Sequence, residues 1–234
     1  MRTTFQDLGE RESADAFSLQ NAQLLKVELR DVTIQAKLGS MVAYQGDVSF
    51  EHAGMGGVGR FMKKALTGEG QRLMKVSGTG EVFLADTAQY VHLVHLEDDQ
   101  LTVSGESLLA FDDGIDWDVE RVKGASGVMG AGLFNTILKG TGWVALLTDG
   151  TPMVLDVASA PTFADAQAVV AWSAGVQTSL KTEFKAKNLI GRGSGETLQM
   201  AFSGAGWVLV QPSEGRPTVP TDGSGGGLGG LLGQ

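Results

Sequence analysis

The sequence predicts an all-β protein, a β-sandwich built from three similar β repeats with pseudo-threefold symmetry. The main observation is a glycine pair that occurs three times, 62 and 64 residues apart, and leads into an apolar segment each time. The pairs are Gly78 and Gly80, Gly140 and Gly142, and Gly204 and Gly206. A motif that recurs at a fixed period is the signature of a repeat architecture. We therefore expect these six glycines to define equivalent positions in the three repeats.

A hairpin motif recurs in phase with the glycine pairs and supports the same fold class. An apolar residue, an alanine and an aromatic residue precede a turn glycine in each copy. The copies are Val42-Ala43-Tyr44 before Gly46, Leu109-Ala110-Phe111 before Gly114, and Val170-Ala171-Trp172 before Gly175. Glycine, at 34 of 234 residues, is about twice its usual share of roughly 7%. This composition is typical of many tight turns between short strands.

The chain divides into an arm, a body and a tail. Residues 1–20 are polar and predict a flexible arm or an added edge segment, and alternation of apolar and polar residues begins at Leu24. The body spans 21–211, with repeats at about 24–86, 87–148 and 149–211. The last segment, 212–234, holds three of the five prolines and a run of glycine and leucine. We expect this tail to be disordered, with docking to a partner or membrane as the alternative.

The first repeat contains a glycine-rich insertion, Gly54-Met55-Gly56-Gly57-Val58-Gly59. It matches the dinucleotide fingerprint G-x-G-x-x-G, but short β units follow where a crossover helix and a parallel strand are required. We therefore expect no dinucleotide and no other cofactor. Phe61, Met62 and Leu66 lie in the same insertion, where a surface loop would be polar. We predict that these three side chains contact a neighbouring subunit or a partner.

No residue cluster predicts a catalytic or metal site. The run DDGIDWD at 112–118 lacks the glycine and glutamate positions of an EF-hand calcium loop, and a hairpin turn explains it. His92 and His95 are three residues apart, a spacing that places them on opposite faces of a strand, and His52 is the third histidine. Trp143, Trp172 and Trp207 occupy recurring positions and are expected in the core. The sequence thus predicts a protein that is not an enzyme.

Charge and cysteine content restrict the partners. The net charge is −9, and the stretch 81–120 contains eleven carboxylates and no Lys or Arg. Phosphate binding depends on Lys and Arg, so DNA is not expected as a partner and RNA binding is expected to be weak. The absence of cysteine excludes disulfides and zinc-thiolate sites. With no signal-like N-terminus and no long apolar run, we expect a cytoplasmic location, and the resemblance described next implies a bacterial one.

Several runs of the chain resemble the mitochondrial biogenesis AIM family, which contains the twenty-fourth "altered inheritance of mitochondria" protein. They are GEGQRLMKVSGTGEVFLA, GAGLFNTILKGTGWVAL, SLLAFDDGIDWDVERVKG and the Gly/Leu tail, and the likeness covers roughly 24–211. The resemblance implies a β-sandwich similar to that of the trp RNA-binding attenuation protein, which is a TRAP-like fold. It also implies oligomerisation and, for mitochondrial relatives, a role in inner-membrane organisation. It brings no catalytic residues.

Together these observations favour a non-enzymatic β scaffold that self-associates and presents one face to an unknown protein partner. We expect a homo-oligomer, with a trimer as the simplest closed form. Peripheral contact of the protein with a membrane is a second expected interaction. The alternative is a small-ligand or RNA-binding module of TRAP-like fold, which rests on fold analogy alone.

Overall fold

The structure, a computed structural model, describes residues 2–5, 7–52, 72–121, 134–181 and 199–213. Within these residues it contains fourteen β-strands, one short 3-10 helix and no α-helix. The predicted all-β class is therefore confirmed. Every printed strand pair is antiparallel.

The strands fall into three groups that follow the three predicted repeats. The first group is β1 (Phe17–Asn21), β2 (Leu24–Lys37), β3 (Met41–His52) and β4 (Leu73–Leu84). The second is β5 (Tyr90–Ser104), the 3-10 helix (Gly105–Ser107), β6 (Leu108–Asp112), β7 (Asp116–Arg121) and β8 (Phe134–Thr148). The third is β9 (Met153–Asp156), β10 (Thr162–Asp165), β11 (Val169–Ser173), β12 (Val176–Lys181), β13 (Gln199–Gly204) and β14 (Trp207–Val210).

Eleven strands form one sheet and three form another. The long sheet has the order β3-β4-β2-β6-β8-β5-β11-β14-β9, with β1 beside β2 and β7 beside β8. The short sheet has the order β10-β13-β12. Two ladders join the groups: β2 pairs with β6, and β5 pairs with β11. We call these ladders the first and second seams.

The hydrophobic core consists of three clusters, each centred on one strand group. The first includes Phe17, Leu29 and Ile34, the second Phe111 and Leu138, and the third is built around Trp172 and Phe202. Phe111 and Trp172 lie in the core, as the sequence predicted for the Trp172 position. Trp143 and Trp207 pack against the clusters while partly exposed. The apolar faces of alternating strands are thus buried on one side of each ladder.

The glycine pairs lie within the long strands β4 and β8 and at the junction of β13 and β14. All six repeat glycines have positive φ, from 106° at Gly204 to 151° at Gly80. A Cβ atom on Gly78 would lie 2.1 Å from the Asp47 carbonyl oxygen, so no side chain fits there. Opposite these glycines, β2 and β5 change register next to Asp31 and Asp98, both with positive φ. The pseudo-threefold axis and the TRAP-like fold stay predictions.

The N-terminal segment contacts the body before and within β1. Phe17 begins this strand inside the range expected to be an arm, and its side chain is only 1% exposed. Gln20 holds the preceding chain, because its amide donates to the Gly9 carbonyl and its side-chain oxygen accepts the Arg11 N–H. Residues 17–20 are therefore part of the sheet.

Candidate functional site

Three strand segments occupy matching places in the three groups: residues 41–45 of β3, 108–112 of β6, and 169–173 of β11. Each runs antiparallel to the central strand of its group, and each shifts register at its second residue. Tyr44, Phe111 and Trp172 then lie opposite Val82, Val144 and Val208, respectively. The three segments therefore share this register shift, but none of them forms the predicted hairpin. Strand β3 continues through Gly46 along β4, and neither β6 with β7 nor β11 with β12 forms a pair.

Two of these segments are covered on their outer edge by a neighbouring strand. In the first seam, Ala110 and Phe111 of β6 lie opposite Ala36 and Gln35 of β2. In the second seam, Ala171 and Trp172 of β11 lie opposite Val103 and Thr102 of β5. Residues 108–111 are 0% exposed, and residues 169–172 are at most 5% exposed.

The segment 41–45, which we call the β3 edge, is not covered in this way. Strand β3 stands at one end of the long sheet. The exposed fractions are 39% for Met41, 60% for Val42 and 49% for Tyr44. The Tyr44 ring makes an edge-on contact with Phe50 at 5.3 Å between ring centres. An apolar strand edge thus faces solvent at the position where its two counterparts are buried.

Two further strands at sheet ends, β9 and β10, also expose apolar residues. Strand β9 ends the long sheet, with Met153 56% and Val154 63% exposed. Strand β10 ends the short sheet, with Phe163 48% exposed. These strands belong to the third group and the β3 edge to the first.

A side-chain oxygen accepts a backbone N–H at the end of β6 in the second group and at the end of β11 in the third. Asp112 Oδ2 accepts the backbone N–H of Trp143 at 2.6 Å, and Ser173 Oγ accepts the backbone N–H of Trp207 at 3.0 Å. Burial raises the pKa of the Asp112 carboxyl above its ordinary value, although the Trp143 N–H opposes this shift. In the first group, the matching residue is Gln45, whose amide donates to the Glu10 carboxylate. The β3 edge is therefore joined to the N-terminal segment.

Two lysines join segments of different groups or of the N-terminus. The Lys26 ammonium, 5% exposed as a residue, lies 2.6 Å from Glu81 Oε1 and donates to the Arg11 carbonyl at 3.2 Å. Its hydrogen bond with Glu81 raises the pKa of Lys26. Lys37 Nζ lies 2.8 Å from Asp86 and 3.2 Å from Glu106, which reinforces the first seam.

The histidines contact separate partners. His92 Nε2 lies 2.9 Å from Thr148 Oγ1, and that hydroxyl donates its own proton to the Gly150 carbonyl. His92 is therefore the donor, and burial lowers its pKa. His95 packs edge-on against Trp143 at 4.8 Å. In the part of the chain that the structure describes, no three His, Cys, Asp or Glu side chains are grouped to hold a metal ion.

The DDGIDWD run contains a turn at 113–115, but the predicted hairpin is wrong. Strands β6 and β7 do not pair with each other; both pair antiparallel with β8, β6 at 144–146 and β7 at 134–139, so the chain continues in the same direction after the turn. Its first two carboxylates contact protein groups: Asp112 accepts the Trp143 N–H, and Asp113 accepts from Gln35 and lies 3.4 Å from Lys75 Nζ. This arrangement uses the carboxylates to hold the turn against β2, β4 and β8.

The predicted contact residues Phe61, Met62 and Leu66 lie outside the described residues, as do the G-x-G-x-x-G run and the tail from 214. The six repeat glycines lie among the described residues, and each adopts a positive φ in or beside a strand. The β3 edge was not predicted as a surface. The repeat motif could have indicated an exposed edge. Three equivalent segments along one open sheet can be covered by only two seams, so one segment stays uncovered.

The fold and this surface define an all-β protein of two antiparallel sheets with an apolar strand edge exposed to solvent. The family model described as "Mitochondrial biogenesis AIM24" matches residues 17–213, and the chain belongs to this family. The predicted family is thereby confirmed. No curated protein matches the chain.

Among solved structures, the crystal structure of protein SPYM3_0169 from Streptococcus pyogenes is similar. The TM-score is 0.69 at 21% sequence identity, with 84% of this chain and 92% of that chain covered. This likeness supports the all-β fold. In the described ranges, no helix is long and apolar enough to cross a membrane.

Proposed function

We propose that this AIM24-family protein is a non-enzymatic scaffold that self-associates and presents the assembled surface to a protein partner. The observation that carries this proposal is the exposed β3 edge, because the two matching segments of the same chain are buried under a strand. The family description, mitochondrial biogenesis, names a cellular process and no reaction.

The chemistry of the β3 edge favours association. Natural edge strands are usually protected by Lys, Pro or short length. The segment Met41-Val42-Ala43-Tyr44-Gln45 contains neither Lys nor Pro and belongs to a strand of 12 residues. Covering three large apolar side chains that are about half exposed contributes on the order of 3 kcal/mol. Pairing of the strand backbone adds direction and register to that contribution.

Charge favours a protein surface over nucleic acid as the partner. The net charge is −9, and the acidic stretch 81–120 supplies most of β5, β6 and β7. Such a surface repels phosphates. Strand addition at an uncharged edge avoids this repulsion, because backbone groups make the contact.

The mass of the full chain in solution tests the proposal. The wild type is expected to exceed the 24.5 kDa monomer at micromolar concentration. Val42→Lys places a charge on the β3 edge and should yield a monomer. Val154→Lys, which changes an equally exposed valine on β9, should leave the mass unchanged. A wild type that is monomeric throughout this concentration range contradicts the proposal.

The insertion in the first repeat supplies a second variant. Phe61, Met62 and Leu66 are proposed to contribute to the same assembly, because the sequence places three large apolar side chains in a glycine-rich insertion. Replacing all three with Ser should lower the mass in solution. Unchanged assembly of this variant would limit the contact to the β3 edge.

A further inference from the structure

We infer that the β3 edge of one copy pairs antiparallel with strand β10 of a second copy. In the expected register, Ala43 lies opposite Ala164, Tyr44 opposite Phe163, and Gln45 opposite Thr162. This inference rests on the proposed self-association and specifies its geometry. The contact would repeat between chains the pairing that both internal seams make within one chain.

The equivalence of β10 with β2 and β5 follows from the central strands. Gly78, Gly140 and Gly204 fix a common numbering, and two residues before them stand Val76, Leu138 and Phe202. Their partners on the next strand are Ile34 in β2, Leu101 in β5 and Thr162 in β10. Phe163 therefore corresponds to Gln35 and Thr102, and Ala164 to Ala36 and Val103.

The register of the proposed pair follows from the two seams. Gln35 lies opposite Phe111 in the first seam, and Thr102 lies opposite Trp172 in the second. Phe111 and Trp172 correspond to Tyr44, since all three face the matching valine of their central strand. The third combination of the same kind places Phe163 opposite Tyr44.

A second copy supplies this strand because β3 and β10 lie at the ends of different sheets of one chain. Val42 is 60% and Tyr44 is 49% exposed in the single chain, so its own β10 does not cover them. Neither 41–45 nor 162–164 contains a charged residue, and no like-charge contact opposes the pairing.

The two surfaces differ, so the contact is heterologous. Each copy offers one β3 edge and one β10, and addition of copies continues until the rotation closes a ring. A trimer is the smallest ring of this kind beyond a closed pair, and its mass is directly measurable.

Disulfide trapping tests the register, because the natural chain contains no cysteine. Ala43→Cys and Ala164→Cys are made in separate full-length chains, mixed and mildly oxidised. Directly opposed Cβ atoms lie about 4.5–5.5 Å apart, which is close enough for a disulfide after a small shift. A linked heterodimer is expected to form on the order of tenfold faster than background, because the paired strands hold the thiols at high local concentration.

Matched controls separate register from random collision. Ala43→Cys mixed with Thr162→Cys tests a shift of two residues and should link more slowly. Ala43→Cys mixed with Val154→Cys, another exposed position, measures background. Gln45→Cys mixed with Thr162→Cys should link as well as the first pair.

Three outcomes overturn the inference. If the double variant Ala43→Cys/Ala164→Cys links only within one chain and mixtures do not link, β10 pairs with its own β3. If Ala43→Cys alone forms dimers faster than the mixture, two β3 edges pair with each other. If mixtures do not link although the wild type assembles, the register is wrong while the scaffold proposal stands. A monomeric wild type would instead remove the scaffold proposal itself.

Discussion

At the ends of β6 and β11, one side-chain oxygen accepts the backbone N–H of a tryptophan. Asp112 supplies this oxygen to Trp143 of β8 in the second group, and Ser173 supplies it to Trp207 of β14 in the third. The two residues differ in charge but accept the same kind of hydrogen bond. The contact therefore needs an acceptor and not a negative charge.

Substitutions at Asp112 separate the acceptor from the charge. Asp112→Ala leaves the Trp143 N–H without this acceptor and should lower the free energy of unfolding by about 1–3 kcal/mol. Asp112→Asn keeps an acceptor oxygen and should lose much less. Urea unfolding of both variants at pH 7 measures the difference, and equal losses would contradict this role.

The raised pKa of Asp112 also predicts a pH dependence. Its folded pKa exceeds the ordinary value of 3.8 because of burial. The protonated carboxyl therefore stabilises the fold below pH 3.8, and this contribution is lost as the pH rises through the folded pKa. Asp112→Asn should thus be more favourable relative to wild type at pH 7 than at pH 4. A constant difference between these pH values would show that the carboxyl is not perturbed.

Two glycines with the same backbone angle allow strain and collision to be measured separately. Gly78 has φ of 127° and Gly140 has φ of 128°. A Cβ would lie 2.1 Å from a backbone oxygen at Gly78, whereas the nearest atom at Gly140 is 4.0 Å away. Gly140→Ala should cost about 1–3 kcal/mol of backbone strain. Gly78→Ala should cost a further 1–3 kcal/mol, roughly, from overpacking, and equal losses in urea unfolding would contradict this.

At the level of elements, β1 shows what a short N-terminal strand contributes. Phe17 is 1% exposed and belongs to the first core cluster, whereas Phe5 is 66% exposed. Strand β1 lies against β2, with Phe17 opposite Val27. The element therefore covers the outer part of β2 that no seam reaches.

The same substitution at both phenylalanines tests this contribution. Phe17→Ala should lower the free energy of unfolding by about 3–5 kcal/mol, since it leaves a cavity in the core. Phe5→Ala should change it by less than about 0.5 kcal/mol. Thermal and urea unfolding of the two variants provide the comparison. Similar effects would place β1 outside the cooperative fold.

The sequence was informative where the physical cause is local. Alternating strands signal their own conformation, and this is why the all-β class could be predicted. The hairpins at 41–46 and 108–114 were wrong, because in each case the chain continues along the same partner strand beyond the glycine. An added edge segment was one of the two expectations for 1–20, but the polar N-terminus does not indicate that Phe17 pairs with Val27 of β2. The exposure of Val42 and Tyr44 depends on which strands meet, and a repeat motif does not state that.

At the scale of the whole molecule, two seams join the three strand groups, and the chain carries a negative net charge. The first seam is reinforced by Lys37 with Asp86 and Glu106. The β3 edge and β10 have no such charged residues within the segments proposed to pair. Association is therefore expected to depend on apolar contact, with the net charge of −9 opposing it at low salt.

This balance predicts a melting temperature that depends on concentration. Assembly stabilises the folded chain by mass action, so the Tm of the wild type should rise with protein concentration, by about 2–4 °C for each kcal/mol gained. Added salt should increase the effect by screening repulsion between copies. Val42→Lys should remove the concentration dependence, and a wild-type Tm that is constant over a hundredfold dilution would refute it.

The order of the ladders has a consequence for synthesis on the ribosome. Strands β2, β3 and β4 pair among themselves, and all three have been made once Leu84 has emerged. The outer edge of β2 at Ile34 then stays unpaired until Asp112, its partner in the first seam, has been synthesised. A nascent chain thus carries an uncovered strand edge at every stage, since each later group covers one edge and exposes its own. Chaperones that hold extended segments would find their substrate in this advancing edge during translation.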